Sequence, residues 1–434
     1  MLRSMYSGVS GLKTHQTKLD VIGNNIANVN TVAYKSSSVT FQEVLSQTVA
    51  SAQPPTNSGT GGTNPSQVGL GTAIGSISTN HANGNIQTTD SITDLALDGG
   101  GFFVVNDGLS NSFTRAGNFS IDSEGNLVTV NGEKVMGWNK GNTEGIDTSM
   151  PLESISLSSL TMKANTTSEL NFEGNLDSKM ENGDSFEYNM SLFDSMGESH
   201  SITLTFTRQG DPTDATKSTI FDVSIGSTDE SINTINGNDF ETNPLEDIGT
   251  ITFDSEGRID TTATDEGVSI NDITVVLNNG ASNIEILEDD IDFNEDKFTL
   301  YSNTTVVNST QDGYEAGTLI GLGVDQEGKI IGNFSNGRDN HVSTIAVASF
   351  INPQGLEKVG GNLFATSWNS GDPQVGVAGT GERGSIASSS LEMSNVDLSR
   401  EFTEMITAQR GFQANSKIIT TSDEVLQELV NLKR

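Results

Sequence analysis

Apolar residues near the two ends of the chain recur with helical spacing, whereas those between the ends alternate. Near the N-terminus, Leu2, Met5, Val9, Leu12, Gln16, Leu19 and Ile26 follow steps of three and four, which places them on one face of a helix. Near the C-terminus, Leu398, Phe402, Met405, Gln409, Phe412, Ser416, Ile419, Asp423, Leu426 and Val430 keep the same rhythm. Both read as coiled-coil-like seams, interrupted by polar residues at Gln16, Gln409, Ser416 and Asp423. A helix from about Asn395 to Leu432 would be roughly 55 Å long at 1.5 Å per residue, so it needs a long partner. That partner is either the first helix of the same chain or a neighbouring subunit, and the length favours the neighbour.

Between the ends the period falls to two. Gly101–Val105, Ser201–Phe206, Ile273–Leu277 and Thr344–Phe350 carry strand signals. The pattern apolar-x-apolar-Asp-x-Glu-Gly-x-apolar occurs around Asp122, Asp254 and Asp325, and predicts three β-hairpins with Gly125, Gly257 and Gly328 in left-handed positions. Their unequal spacing argues against a solenoid. Ser46 to Ser66, with Pro54-Pro55 and Gly59-Thr60-Gly61-Gly62, reads as a flexible loop or linker.

Charge sharpens this division. The 434 residues carry a net charge of −35, yet residues 1–50 and 391–434 together hold nine basic and nine acidic side chains, so all of the excess lies between them. That balance repels phosphate backbones and speaks against a nucleic-acid partner or a basic membrane-binding face. No run of about 18 apolar residues occurs, so no membrane span is expected, and the first residues turn polar too early for a cleaved signal peptide. The absence of cysteine removes disulfides, thiolate metal sites and thiol nucleophiles, and the four histidines are dispersed. No cofactor and no metal are expected.

The remaining motifs are weak. Gly379-Thr380-Gly381-Glu382-Arg383-Gly384 matches GxGxxG but opens no immediate helix and sits in no alternating β/α pattern. Asp290-Ile291-Asp292 starts like a calcium loop, but Glu295 and Tyr301 stand where glycine and glutamate are required. Ser10-Gly11-Leu12-Lys13 is a lone SxxK, and few aromatic residues are left to stack on a sugar. The chain is expected not to be an enzyme.

Both ends also carry longer motifs. Leu19 to Lys35, with Asn24, Asn25, Ala27, Asn28, Asn30, Thr31, Tyr34 and Lys35, resembles the N-terminal signature of bacterial flagellar rod and hook proteins. Ser394 to Phe402, with Asn395, Val396 and Asp397, is similar to the C-terminal counterpart. So are Met405 to Asn415, with Gln409, Arg410 and Asn415, and the ending Val430 to Arg434. Weaker similarity covers Leu97–Val105, Phe113–Phe119 and Phe193–Gly197. One departure is Ala33, where the family usually has glycine; if the site needs positive φ, alanine costs about 1 kcal/mol. The turn after the first helix is therefore open to change.

The resemblance implies an α+β multidomain protein whose long terminal helices pair coiled-coil-like around β-rich inner and outer domains. The expected division is residues 1–30 with 391–434 as the axial core, 31–70 with 375–390 as an extended linker region, 71–148 with 313–374 as the inner domain, and 149–312 as the outer domain. Distal rod relatives are expected to lack the outer domain, so the resemblance implies a hook-type subunit. Such a subunit forms a homopolymer and meets the distal rod protein, the hook cap protein, the hook-associated junction protein and the type III export apparatus. It lies outside the cell and is exported without a cleaved signal. Leu2, Met5, Val9, Leu12, Leu19, Ile26, Leu398, Phe402, Met405, Phe412, Ile419, Leu426 and Val430 are the residues expected to pack between subunits. A secreted β-rich adhesin is the competing reading, which gives no reason for paired terminal seams.

Overall fold

The computed structural model describes residues 2–54, 61–139, 150–157, 161–209, 219–229, 231–239, 245–260 and 267–431. Pro55, Gly59 and Thr60 of the expected loop, the 148/149 domain boundary and the motif residues Leu432 to Arg434 lie outside them. Two α-helices, α1 (Leu2–Ala27) and α2 (Leu398–Asn431), stand at the ends of an otherwise β-rich chain. The chain divides into two compact units: residues 1–159, 322–332 and 340–434 form one, and residues 160–321 and 333–339 the other.

In the first unit, Asp397 caps α2, its carboxylate accepting from the backbone N–H groups of Ser399 at 2.9 Å and Arg400 at 3.3 Å. After α1 the chain makes a turn in which Ala33 adopts φ +56°, so the left-handed position is kept with alanine in it. An antiparallel ribbon follows, Ser37–Glu43 against Thr72–Thr79. The stretch expected to be a flexible loop instead carries a second hairpin, Ser46–Ala50 against Ser66–Gly69, because Ser46 to Ala50 can form a ladder opposite Val68. The main sheet runs Lys134–Asn139, Phe102–Asn106, Asn111–Thr114, Leu363–Ala365, Glu357–Gly360 in spatial order. Phe102, Val104, Phe113, Trp138, Phe350 and Phe364 pack against it, with Phe113 edge-on to Phe350 at 4.8 Å. Leu95–Asp98 pairs with Ser385–Ser388, and Ile86–Thr88 with Ser390–Glu392, which brings the late chain beside the early chain.

The second unit contains a five-stranded antiparallel sheet built on Ser199–Gln209, in which Ile202, Leu204 and Phe206 alternate inward. A three-stranded and a four-stranded sheet complete it around one core, where Phe172 stacks on Phe293 at 4.6 Å. The three Asp–Glu–Gly turns form alike in their respective units. Asp122, Asp254 and Asp325 each accept from the backbone two and four residues on, and Gly125, Gly257 and Gly328 have φ of 80°, 80° and 81°.

Candidate assembly interface

The end motifs meet in the first unit, around a buried ion cluster. Strand pairing delivers Glu392 beside the turn that follows α1, and Lys35 reaches it at 2.7 Å with both side chains fully buried. Glu392 also accepts from the Gly84 N–H at 2.7 Å, and Arg115 approaches its other oxygen at 3.5 Å. Lys35 donates further to the Ala82 carbonyl at 2.8 Å, and Arg115 to that of Gly99 at 2.7 Å. Burial pushes the Lys35 ammonium below its ordinary value, and the Glu392 charge opposes that. Beside them His81 packs edge-on to Phe102, its ring nitrogens unpartnered. Burial, then the cations Lys35, Arg115 and Lys358, lower its pKa to about 4.

The motif asparagines stitch backbone to backbone around this cluster. Asn25 donates to the Ser37 carbonyl and accepts from the Ser37 N–H, at 2.8 and 3.0 Å, and its carboxamide oxygen also accepts from the Tyr34 hydroxyl. Asn28 donates to the Asn24 carbonyl and accepts from Thr31. Asn395 accepts from the Ser36 N–H at 2.8 Å and donates to the carbonyls of Asn80 and Ala82. Thus Asn24, Asn25, Asn28, Thr31, Tyr34, Lys35 and Asn395 are joined in one clasp. Ala27, Asn30, Asp397, Gln409 and Arg410 are exposed, and Val396 and Asn415 half-buried. Sequence reasoning missed Glu392, the clasp's centre. The available signal was that it is the one carboxylate between Glu382 and Asp397.

The helices run antiparallel against each other, and the faces in contact are mostly small or polar, with Ile22 and Ile419 as apolar members. Gly8 lies against Ile419 and Asn415, Gly11 against Asn415, and His15 against Gly411, while Lys18 pairs with Glu404 at 3.3 Å. Among the described side chains, Gly8, Gly11, Thr14, Ile22 and Asn25 are the buried residues of α1, and Glu401 and Ala408 those of α2. Each expected seam lies one residue further along: Val9, Leu12 and Ile26 follow Gly8, Gly11 and Asn25, and Phe402, Gln409 and Phe412 follow Glu401, Ala408 and Gly411. One residue is about 100° around a helix. Most of the apolar positions therefore lie beside the helix pair, while Ile419 of the expected seam packs inside it against Gly8. Val9, Leu398, Phe402, Phe412 and Val430 are exposed, Val430 at 69%. Met5, Leu12, Leu19, Ile26, Met405, Ile419 and Leu426 are half-buried, and Leu2 is described by its helical backbone. Ile406, Ile418 and Val425 are further exposed apolar residues of α2 that the expected seam omitted.

The second unit has its own buried polar cluster. His200 faces Asp194 at 3.2 Å and the Ser231 hydroxyl at 2.7 Å, and Ser231 donates to Asp229 at 2.6 Å. Asp194, Glu198 and His200 converge closely enough to hold a cation. The Asn279 amide donates to Asp194 at 2.8 Å and Glu198 at 3.0 Å, filling that role with a neutral donor. Ser231 spends its proton on Asp229, so the Ser–His–Asp series pins loops together.

Comparison with known proteins agrees with both ends and the middle. Four family models match: flagella basal body rod protein over residues 5–35, flagellar hook protein FlgE/F/G D1 domain over 96–169, flagellar basal body protein FlaE D2 domain over 165–314, and flagellar basal body rod FlgEFG protein C-terminal over 387–432. The chain is 37% identical to the flagellar hook protein FlgE of Borreliella burgdorferi, with all of both chains covered. It is 34% identical to the flagellar basal-body rod protein FlgG of Bacillus subtilis, again with all of both chains covered. A crystal structure of Helicobacter pylori hook protein FlgE2 superposes with a TM-score of 0.51 at 14% identity, covering 71% of this chain and all of that one, which supports the fold.

Proposed function

The chain belongs to the flagellar hook and rod protein family, and from that premise we propose that it is a structural subunit of the hook, polymerising into a tube that carries motor torque from rod to filament. The family is a structural one, not an enzyme family. The observation that carries the reading is the row of exposed apolar side chains along α2, from Leu398 to Val430, with Val9 exposed on α1. A monomer gains nothing by exposing Phe402, Ile406 and Phe412 along one helix, whereas repeated contacts that do not close generate a filament. The expected packing residues, from Leu2 to Ile26 and from Leu398 to Val430, are the side chains we assign to coiled-coil-like contacts between copies. The motif residues joined in the clasp fix the angle at which those helices leave the β-structure.

The hook is part of the extracellular flagellum, and none of the described helices is long and apolar enough to cross a membrane. We assign its partners as the distal rod protein, the cap protein, the junction protein and the type III export apparatus, reached without a cleaved signal. The division into axial core, linker, inner and outer domains belongs to the same reading.

Salt-induced assembly of the purified chain, followed by negative-stain microscopy, tests the proposal. Tubes are expected from the wild type, and none from Phe402→Asp or Phe412→Asp, which place a carboxylate in a dry contact yet leave the exposed site of the monomer undisturbed. Normal tubes from both variants would remove that row from the assembly. The Bacillus relative favours a second reading, a distal rod subunit. A curved tube supports the hook; a straight, stiff one supports the rod.

A further inference from the structure

The chain has two tryptophans in opposite environments. Trp138 is buried in the core of the first unit, its indole N–H donating to the Met150 carbonyl at 3.2 Å. Trp368 is fully exposed, at 106% of its reference surface, and Ile351 nearby in the same loop system is 78% exposed. An indole in water forgoes the burial of about 150–250 Å² that makes tryptophan prominent in cores and interfaces.

The loops presenting it are not slack. Asn352 donates to the Asn369 carbonyl at 2.9 Å and Ser367 to the Gly355 carbonyl at 2.5 Å, while the Ser367 N–H donates to the Ser370 hydroxyl at 3.0 Å. A Cβ at Gly355 would come within 2.7 Å of the Asn369 backbone, so the two loops touch main chain to main chain there. Trp368 is thus held out on a fixed support, and an anchor already in its bound arrangement loses little ordering entropy on contact.

Charge selects the partner. Between Asn340 and Gly371 the only formally charged side chains are Glu357 and Lys358, which cancel, in a chain whose net charge is −35. Two copies of so acidic a chain repel over most of their surfaces and approach most easily where carboxylates are absent. We infer that Trp368, with Ile351 beside its loop, is an anchor that inserts into a neighbouring copy of this chain in the polymer. The contact is heterologous, the indole of one copy meeting a different surface of the next, so it propagates without closing.

This inference rests on the polymer reading above, and one preparation separates the two. Tryptophan emission and acrylamide quenching are recorded for wild-type chain and for Trp368→Phe, before and after salt-induced assembly, with the same samples imaged by negative stain. The difference between the two proteins isolates Trp368 without touching buried Trp138. Emission is expected to move to shorter wavelength on assembly, with at least a three-fold drop in quenching. Trp368→Glu is expected to raise the critical concentration at least ten-fold at an unchanged urea midpoint of the monomer. Tubes in which Trp368 stays as quenchable as in the monomer overturn the inference alone, as does wild-type assembly of Trp368→Glu. No tubes from the wild type overturn the polymer reading and this inference with it.

Discussion

At the scale of single residues, the clasp places unusual demands on alanine and histidine. Ala33 holds φ +56° while 2% exposed, and its N–H donates to the Glu392 carbonyl at 2.7 Å. Left-handed alanine costs about 1 kcal/mol against glycine, but glycine would forgo burial of a methyl worth about 0.8 kcal/mol and would loosen the unfolded chain. Ala33→Gly is accordingly expected to lie within about 1 kcal/mol of wild type in urea unfolding. Ala33→Val, β-branched at positive φ in a filled site, is expected to lose about 2 kcal/mol or more. His81 makes a pH-dependent contribution. Its folded pKa of about 4 lies below the ordinary histidine value of about 6.5, so the unfolded state takes up the proton first as pH falls. Its contribution is complete above about pH 6.5 and is lost progressively as pH falls to about 4, amounting to about 2 kcal/mol after allowance for partial solvation. Both ring nitrogens lack partners, so His81→Phe should fold and flatten that part of the stability profile, read as urea midpoints between pH 7 and 4.

At the scale of elements, the helix pair depends on residues too small to register as hydrophobic. A Cβ on Gly411 would meet the His15 ring at 2.6 Å, and His15 is itself packed edge-on to Phe41 at 5.4 Å. Gly411→Val is therefore expected to cost about 1–3 kcal/mol through overpacking, although it removes a glycine from a helix, which alone would stabilise. The loss should appear in urea unfolding followed by helical circular dichroism; an unchanged or higher midpoint would mean that the helices do not approach through Gly411. The same geometry explains what could be read from the sequence. The 3-4 rhythm announced both helices, and the Asp–Glu–Gly pattern announced three hairpins with their left-handed glycines, because local chemistry determines each. The phase of the helix pairing was not readable. Gly8, Gly11, His15 and Gly411 repeat with the same period as Val9, Leu12, Gln16 and Phe412, and hydrophobicity selects the second set even though the first permits closer approach. Glu392 escaped notice for a different reason. A lone carboxylate acquires meaning only when strand pairing 357 residues along the chain from Lys35 brings the two together.

At the scale of the whole molecule, acidity and architecture coincide. Residues 166–313 contain 31 acidic and 5 basic side chains, a net −26 of the chain's −35. The same stretch contains the entire hydrophobic cluster of the second unit, from Leu170 to Val307. Its ends lie side by side: Thr161 pairs with Thr318, Met162 with Gly317, and Asn165 and Tyr314 exchange two backbone hydrogen bonds of 3.1 Å. A two-residue Asn-Gly turn between Asn165 and Tyr314 would close that ladder as a hairpin, removing a complete core without opening the one around Phe102 and Phe113. The shortened chain is expected to fold, with unfolding by urea that matches the first unit of the full chain. If the terminal helices carry the axial contacts, it should also form tubes. They should assemble at lower salt than the full chain, because repulsion between copies falls with the lost charge, and they should be straighter or differently curved in negative stain. A shortened chain that folds but gives no tubes at any salt concentration would mean that the contacts holding copies together lie in residues 166–313 instead of along α1 and α2.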